Sequence, residues 1–130
     1  MKYMLLIYDD PAVYEGDQGR KLMSEMIAGH MRLGEDLRAA GVTYSGSQLQ
    51  PPTVATTVRN AGEAQTLHDG PFAETKEQLL GFHLMEFDTD DEVIAAARKL
   101  RQVNPTAVYE IRPVKLYVPA DGFGATASEG

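Results

Sequence analysis

The chain has no cysteine. That absence removes disulfides, thiolate nucleophiles and cysteine-ligated metals from consideration. No apolar run approaches the ~20 residues that a membrane span requires. Basic charge is scarce, with 12 Lys and Arg against 19 Asp and Glu, a net charge of -7. A nucleic-acid backbone or an anionic membrane would call for a basic patch, so neither is expected as a partner. The segment Met1–Tyr8 carries one basic residue and breaks at Asp9-Asp10-Pro11. A secretory signal is therefore not expected, and a cytoplasmic protein is. A serine nucleophile elbow, a phosphate loop and a dinucleotide fingerprint are also missing. Gly122-Phe123-Gly124 stands nearest to the last of these, with no strand before it or helix after it. No cofactor is expected.

What is present suits one soluble domain. The 130 residues are 43% hydrophobic and 24% charged, ordinary values for a globular chain long enough to bury its own core. Residues 1–118 read as that domain, and Pro119 to Gly130, small and glycine-rich, as a mobile C-terminal tail.

Two periods organise the domain. Tyr3–Tyr8 is a near-continuous apolar run of strand length, followed by a polar loop from Pro11 to Gly19. From Gln18 to Ala40, Met23, His30 and Leu37 recur seven apart, flanked by Met26, Ile27, Leu33 and Gly34. That is the stripe of a long amphipathic helix, stopped at Gly41. Strands are expected at Val42–Leu49, Thr53–Arg59 and Ala64–His68, the first containing Gly46 and followed by a turn at Pro51-Pro52. Leu79–Phe87 is the longest strand candidate. Thr89 and Glu92 form a capping box that opens a second helix, ended by Asn104-Pro105. Ala107–Pro113 is a last strand, continued past the proline by Val114–Val118.

The order β-α-β-β-β-β-α-β predicts an α+β fold, a mostly antiparallel sheet with two helices on one face. The strands at Tyr3–Tyr8 and Leu79–Phe87 are apolar on both faces, so the uncovered face points to a homodimer.

The densest polar segment is His68-Asp69-Gly70-Pro71-Phe72-Ala73-Glu74-Thr75-Lys76-Glu77. Together with Gly81-Phe82-His83-Leu84-Met85-Glu86-Phe87 it resembles the signature of the DGPF family, a branch of the YCII-related domains. The resemblance implies a ferredoxin-like fold and a dimer of the α+β-barrel type. It also implies a His–Asp catalytic centre with the histidine on the first helix, which here is His30. Asp69 is the matching carboxylate.

The residues themselves leave two readings of His30. It is a core histidine bonded to a backbone carbonyl, or a proton-transfer group oriented by Asp69. Asp69 in turn is either that orienting group or the first residue of a tight turn. Phe72 reads as a plug holding the loop to the core. Tyr8, His68, Phe72, Lys76 and His83 are the candidate substrate-binding residues. No spacing among His30, His68, Asp69 and His83 matches a known metal-ligand pattern, and no metal is expected.

Two functions follow. The first is a cofactor-free enzyme using a His30–Asp69 pair for proton transfer or elimination on a small organic molecule; some YCII-related proteins eliminate from chlorinated aromatics. The second is a non-enzymatic binding or regulatory module, since DGPF proteins are often encoded beside sigma factors. A weaker third is a structural dimer whose open face holds a hydrophobic ligand.

Overall fold

The computed structural model describes residues 1–120. Most of the expected tail, 121–130, lies outside the described residues. The elements run β1 (Lys2–Asp9), α1 (Gly16–Ala39), β2 (Tyr44–Gln48), β3 (Thr56–Ala61), β4 (Ala64–Asp69), β5 (Gln78–Glu86), α2 (Asp90–Val103) and β6 (Val108–Pro113). Strands β2, β5, β1 and β6 form one sheet in that spatial order, and among the described residues β3 pairs only with β4. Every pairing is antiparallel. The result is a mixed α+β, ferredoxin-like sheet, with a two-stranded hairpin inserted between β2 and β5.

Side-chain alternation decides which face the helices cover. On β1 the residues Tyr3, Leu5, Ile7 and Asp9 are buried, while Met4, Leu6 and Tyr8 between them are half-buried. Gly81, His83 and Met85 continue the buried face on β5, and Phe82 and Leu84 the other. Leu33 of α1 and Val93, Ala96, Ala97 and Leu100 of α2 close the core over Tyr3, Leu5 and Met85. Gly29 sits where α1 meets α2, and a Cβ there would lie 2.6 Å from a methyl of Val103.

Local signals set the helix ends. Gly41, at a φ of 82°, ends α1. Its N–H donates to Arg38 and that of Val42 to Leu37, the paired bonds of a Schellman motif. Thr89 and Glu92 exchange both bonds of the capping box. Asp90, Asp91 and Glu92 then place negative charge in the first turn of α2, where its dipole favours it.

Several boundaries differ from the sequence expectation, three of them for a clear local reason. Asp10 caps a short 3₁₀ turn at Pro11–Tyr14, and α1 starts at Gly16, inside the expected loop. Pro51 and Pro52 lead into another 3₁₀ turn at Pro52–Val54, which delays β3 to Thr56. Strand β6 stops at Pro113 rather than continuing to Val118, because its partner β1 begins at Lys2 and runs out. The N–H of Val114 still donates to the Lys2 carbonyl.

The hairpin is built differently from the main sheet. Apart from half-buried Thr57, every residue of β3 and β4 is exposed, including the cross-strand pair Val58 and Leu67. No described helix is long and apolar enough to cross a membrane.

Candidate functional site

A cleft of ≈ 700 Å³ lies between α1 and the β2–β5 edge of the sheet. Met23, Met26, Ile27 and Met31 of α1 form one wall, and Pro51 and Pro52 also line the cleft. Leu80, also in its lining, is the extra residue of a bulge where β5 passes Ile7 and Tyr8. His30, Tyr44 and His83 reach the cleft from α1, β2 and β5.

These three belong to one chain of hydrogen bonds. His30 Nδ1 lies 2.7 Å from His83 Nε2. The other nitrogen of His30 lies 3.0 Å from the Tyr109 hydroxyl, and the other nitrogen of His83 2.9 Å from the Tyr44 hydroxyl. The order is Tyr44–His83–His30–Tyr109, with all four imidazole nitrogens engaged. His30 is 8% exposed and His83 5%. Burial holds both imidazoles down at about 4, with the charge of His30 adding to the effect on His83. Both are therefore neutral at pH 7. Burial likewise raises Tyr44 and pushes Tyr109 up to about 12, so the phenols keep their protons.

Small residues make room for these rings. A Cβ on Gly46 would run into His83 Nδ1, and one on Gly34 would lie 2.6 Å from the Tyr44 ring. Gly46 pairs with His83 across the ladder. The glycine inside the expected strand thus marks a close approach of a side chain.

A second polar cluster adjoins the cleft. The Asp9 carboxylate is 2% exposed. It accepts from the Asp10 N–H at 2.8 Å, the Tyr14 hydroxyl at 2.6 Å and the Thr106 hydroxyl at 2.8 Å. Those bonds replace the water that burial removes from the carboxyl group. Burial, followed by the bond to Asp9, raises the Tyr14 phenol above its ordinary range. Asn104 accepts from the Tyr14 hydroxyl at 3.2 Å through its carbonyl oxygen, while its buried Nδ2 has no hydrogen-bond partner among the described residues.

The structure distributes the expected site residues over several places. His30 and His83 meet. Asp69 ends β4, exposed, opposite Thr56. Both nitrogens of His30 are taken by His83 and Tyr109, so the His30–Asp69 pairing does not form within the chain. Asp69 belongs to the separate β3–β4 hairpin rather than to the sheet that carries His83. Gly70, at a φ of 104°, makes the turn that follows, its N–H bonding to the Ala55 carbonyl. His68 Nε2 lies 3.1 Å from the Pro71 carbonyl. Phe72 is 74% exposed rather than a plug in the core; it stacks under Arg59, whose guanidinium also donates to its carbonyl. Lys76 is exposed in the same loop. Tyr8 points to the opposite sheet face, its hydroxyl 3.3 Å from Glu110. Among the described residues no three His, Asp or Glu side chains are grouped to hold a metal ion.

Tyr44, Tyr109, Asp9, Tyr14 and Asn104 were not identified from the sequence. Tyr109 carried a signal, alternating with Glu110 on β6 and so facing the core. Tyr44 and Asp9 needed the strand register, and Tyr14 and Asn104, in the 3₁₀ turn and at the end of α2, needed the tertiary fold.

The model of the YCII-related domain matches residues 1–117. An uncharacterised protein of Rhizobium meliloti (strain 1021) is 38% identical over 125 residues, spanning 93% of this chain and 98% of that relative.

Proposed function

The chain belongs to the YCII-related domain family, and we propose that it is a cofactor-free enzyme acting by proton transfer or elimination on a small organic molecule in the cleft. One observation carries this reading. A chain of neutral, proton-exchanging groups, Tyr44–His83–His30–Tyr109, reaches an apolar cleft of small-molecule size. Imidazole is suited to the task because one nitrogen holds a proton while the other accepts one. His30 is the central acid–base group. His83 takes the orienting place that the sequence suggested for Asp69.

The test is a library of uncharged small molecules incubated with the protein in D₂O, followed by mass spectrometry. Deuterium uptake or loss of a leaving group marks turnover. His30→Gln is expected to slow that turnover by about 10²-fold or more. Equal rates in both proteins would rule this reading out.

A second reading rests on the hairpin. An isolated two-stranded hairpin is marginally stable in water, and this one exposes Val58, Leu67 and Phe72. In that reading Asp69, His68, Phe72 and Lys76 face a protein partner, in a binding or regulatory module of the kind linked to sigma-factor signalling. Either function is proposed for a cytoplasmic homodimer. The half-buried Met4, Leu6, Tyr8, Phe82 and Leu84 on the helix-free sheet face support association with a second copy.

A further inference from the structure

A neutral imidazole has one N–H and one bare nitrogen. At the 2.7 Å contact, one of His30 Nδ1 and His83 Nε2 must hold the proton and the other must accept it. Suppose His30 donates. Its Nε2 is then bare and accepts from the Tyr109 hydroxyl. His83 accepts at Nε2, so its proton is on Nδ1 and is donated to the Tyr44 oxygen. The Tyr44 proton is left free for the cleft. In the reverse arrangement Tyr44 donates to His83 Nδ1, His83 Nε2 to His30 Nδ1, and His30 Nε2 to the Tyr109 oxygen. Tyr44 then offers only lone pairs. These are the two states in which all three contacts are hydrogen bonds. In each, both histidines carry the proton on the like-named nitrogen: Nδ1 in the first, Nε2 in the second.

We propose that the four side chains form a two-state proton relay ending on the Tyr44 hydroxyl, and that the cleft takes an uncharged, mainly apolar molecule whose hydrogen-bonding group selects the state. This deepens the enzymatic reading of the cleft and rests on it. Two observations place the ligand contact on Tyr44. Tyr44 lines the cleft and Tyr109 does not, and both nitrogens of both imidazoles are already bonded within the protein. The ligand class follows from the walls. Among the described lining residues there is no Lys or Arg, and Glu15 is the one carboxylate, so an anionic group would find no counter-charge in the walls; Arg38, 5.4 Å from the centre of the Tyr44 ring, lies outside the lining. The methionines of α1 suit an apolar body of variable shape.

The relay moves a proton without forming an imidazolium. In the first state Tyr44 gives its proton to the ligand and takes the Nδ1 proton of His83. His83 takes at Nε2 the Nδ1 proton of His30, which takes the Tyr109 proton at its own Nε2. The O–H bonds of both tyrosines and the two Nδ1–H bonds break; a ligand–H bond, the Tyr44 O–H bond and two Nε2–H bonds form. As its own proton passes to His30, Tyr109 takes one from a solvent water, whose O–H bond breaks to leave hydroxide in solution, so no phenolate stands. The second state remains, and proton abstraction from a ligand runs the same steps backwards.

The test reads the tautomers directly by ¹⁵N NMR of the imidazoles at pH 7, with no turnover needed. Three probes are added in turn: acetophenone, which only accepts, indole, which only donates, and ethylbenzene, which does neither. Acetophenone is expected to drive both rings to the Nδ1–H form and indole both to Nε2–H, with ethylbenzene causing no switch. In Tyr44→Phe the response to acetophenone and indole should vanish while ethylbenzene still binds. Unlike tautomers on His30 and His83, or a doubly protonated ring, would overturn the relay. Bound probes that leave the tautomers unmoved, or no binding of acetophenone or indole, would overturn the role of Tyr44 and the ligand class. The enzymatic reading fails separately, on equal turnover by His30→Gln.

Discussion

Two regions of this molecule place histidines beside polar partners, and they are built in opposite ways. His30 and His83 are sealed between α1 and the main sheet, each bonded at both nitrogens to another side chain. His68 and Asp69 stand on an exposed hairpin, where His68 meets the carbonyl of Pro71 and the turn is held by backbone bonds of Gly70. The first region is costly to assemble, because buried polar groups must all be matched. The second costs little, because water serves whatever the chain leaves unbonded. The segment richest in polar residues is therefore the less demanding part of the structure, and the sparse apolar stripe around His30 holds the coupled groups.

That contrast can be broken most strongly with acid. Burial holds His30 and His83 at about 4, against ~6.5 in an unfolded chain. As pH falls the unfolded chain binds protons first, so the stability these rings contribute is full above ~6.5 and lost toward ~4. The loss is on the order of 3 kcal/mol per imidazole. Urea denaturation between pH 7.5 and 4.5 should show it, with a shallower fall in His30→Gln. Next in size is Gly46→Ala, whose Cβ would collide with His83. The overpacked core should lose about 2–3 kcal/mol in urea denaturation. Tyr109→Phe leaves His30 Nε2 without its partner, and a cost of about 2 kcal/mol is expected by the same measurement. Phe72→Ala removes a ring that is 74% exposed. Its thermal melt should stay within about 0.5 kcal/mol of wild type, the smallest effect and the one that confirms the hairpin's independence.

Much of the fold was readable before the structure. The alternation on β1, the sevenfold spacing on α1, the Thr89 capping box and the Gly41 stop each report a local requirement of one element. Local patterns identified His30 too, as a polar residue in an apolar stripe. Its partners were hidden because pairing is set by register. His83 reaches His30 only because β5 lies between β2 and β1, with Leu5 and Gly46 opposite the histidine. Asp69 was paired with His30 by the family resemblance, which rests on the same run of sequence that holds His83. The loop between β4 and β5 separates Asp69 from His83, and β4 joins a different sheet. Asp9 was read as a strand end. Its carboxylate is also bound by Thr106, 97 residues further along the chain.

The most direct test of the account is an NMR pH titration of the imidazoles in wild type and in Asp69→Asn. The structure predicts that His30 and His83 stay neutral down to about 4 and that neutralising Asp69 leaves both unchanged. A His30 that titrates near 6.5, or moves by a unit when Asp69 is replaced, would contradict the buried imidazole pair and restore the carboxylate as its partner.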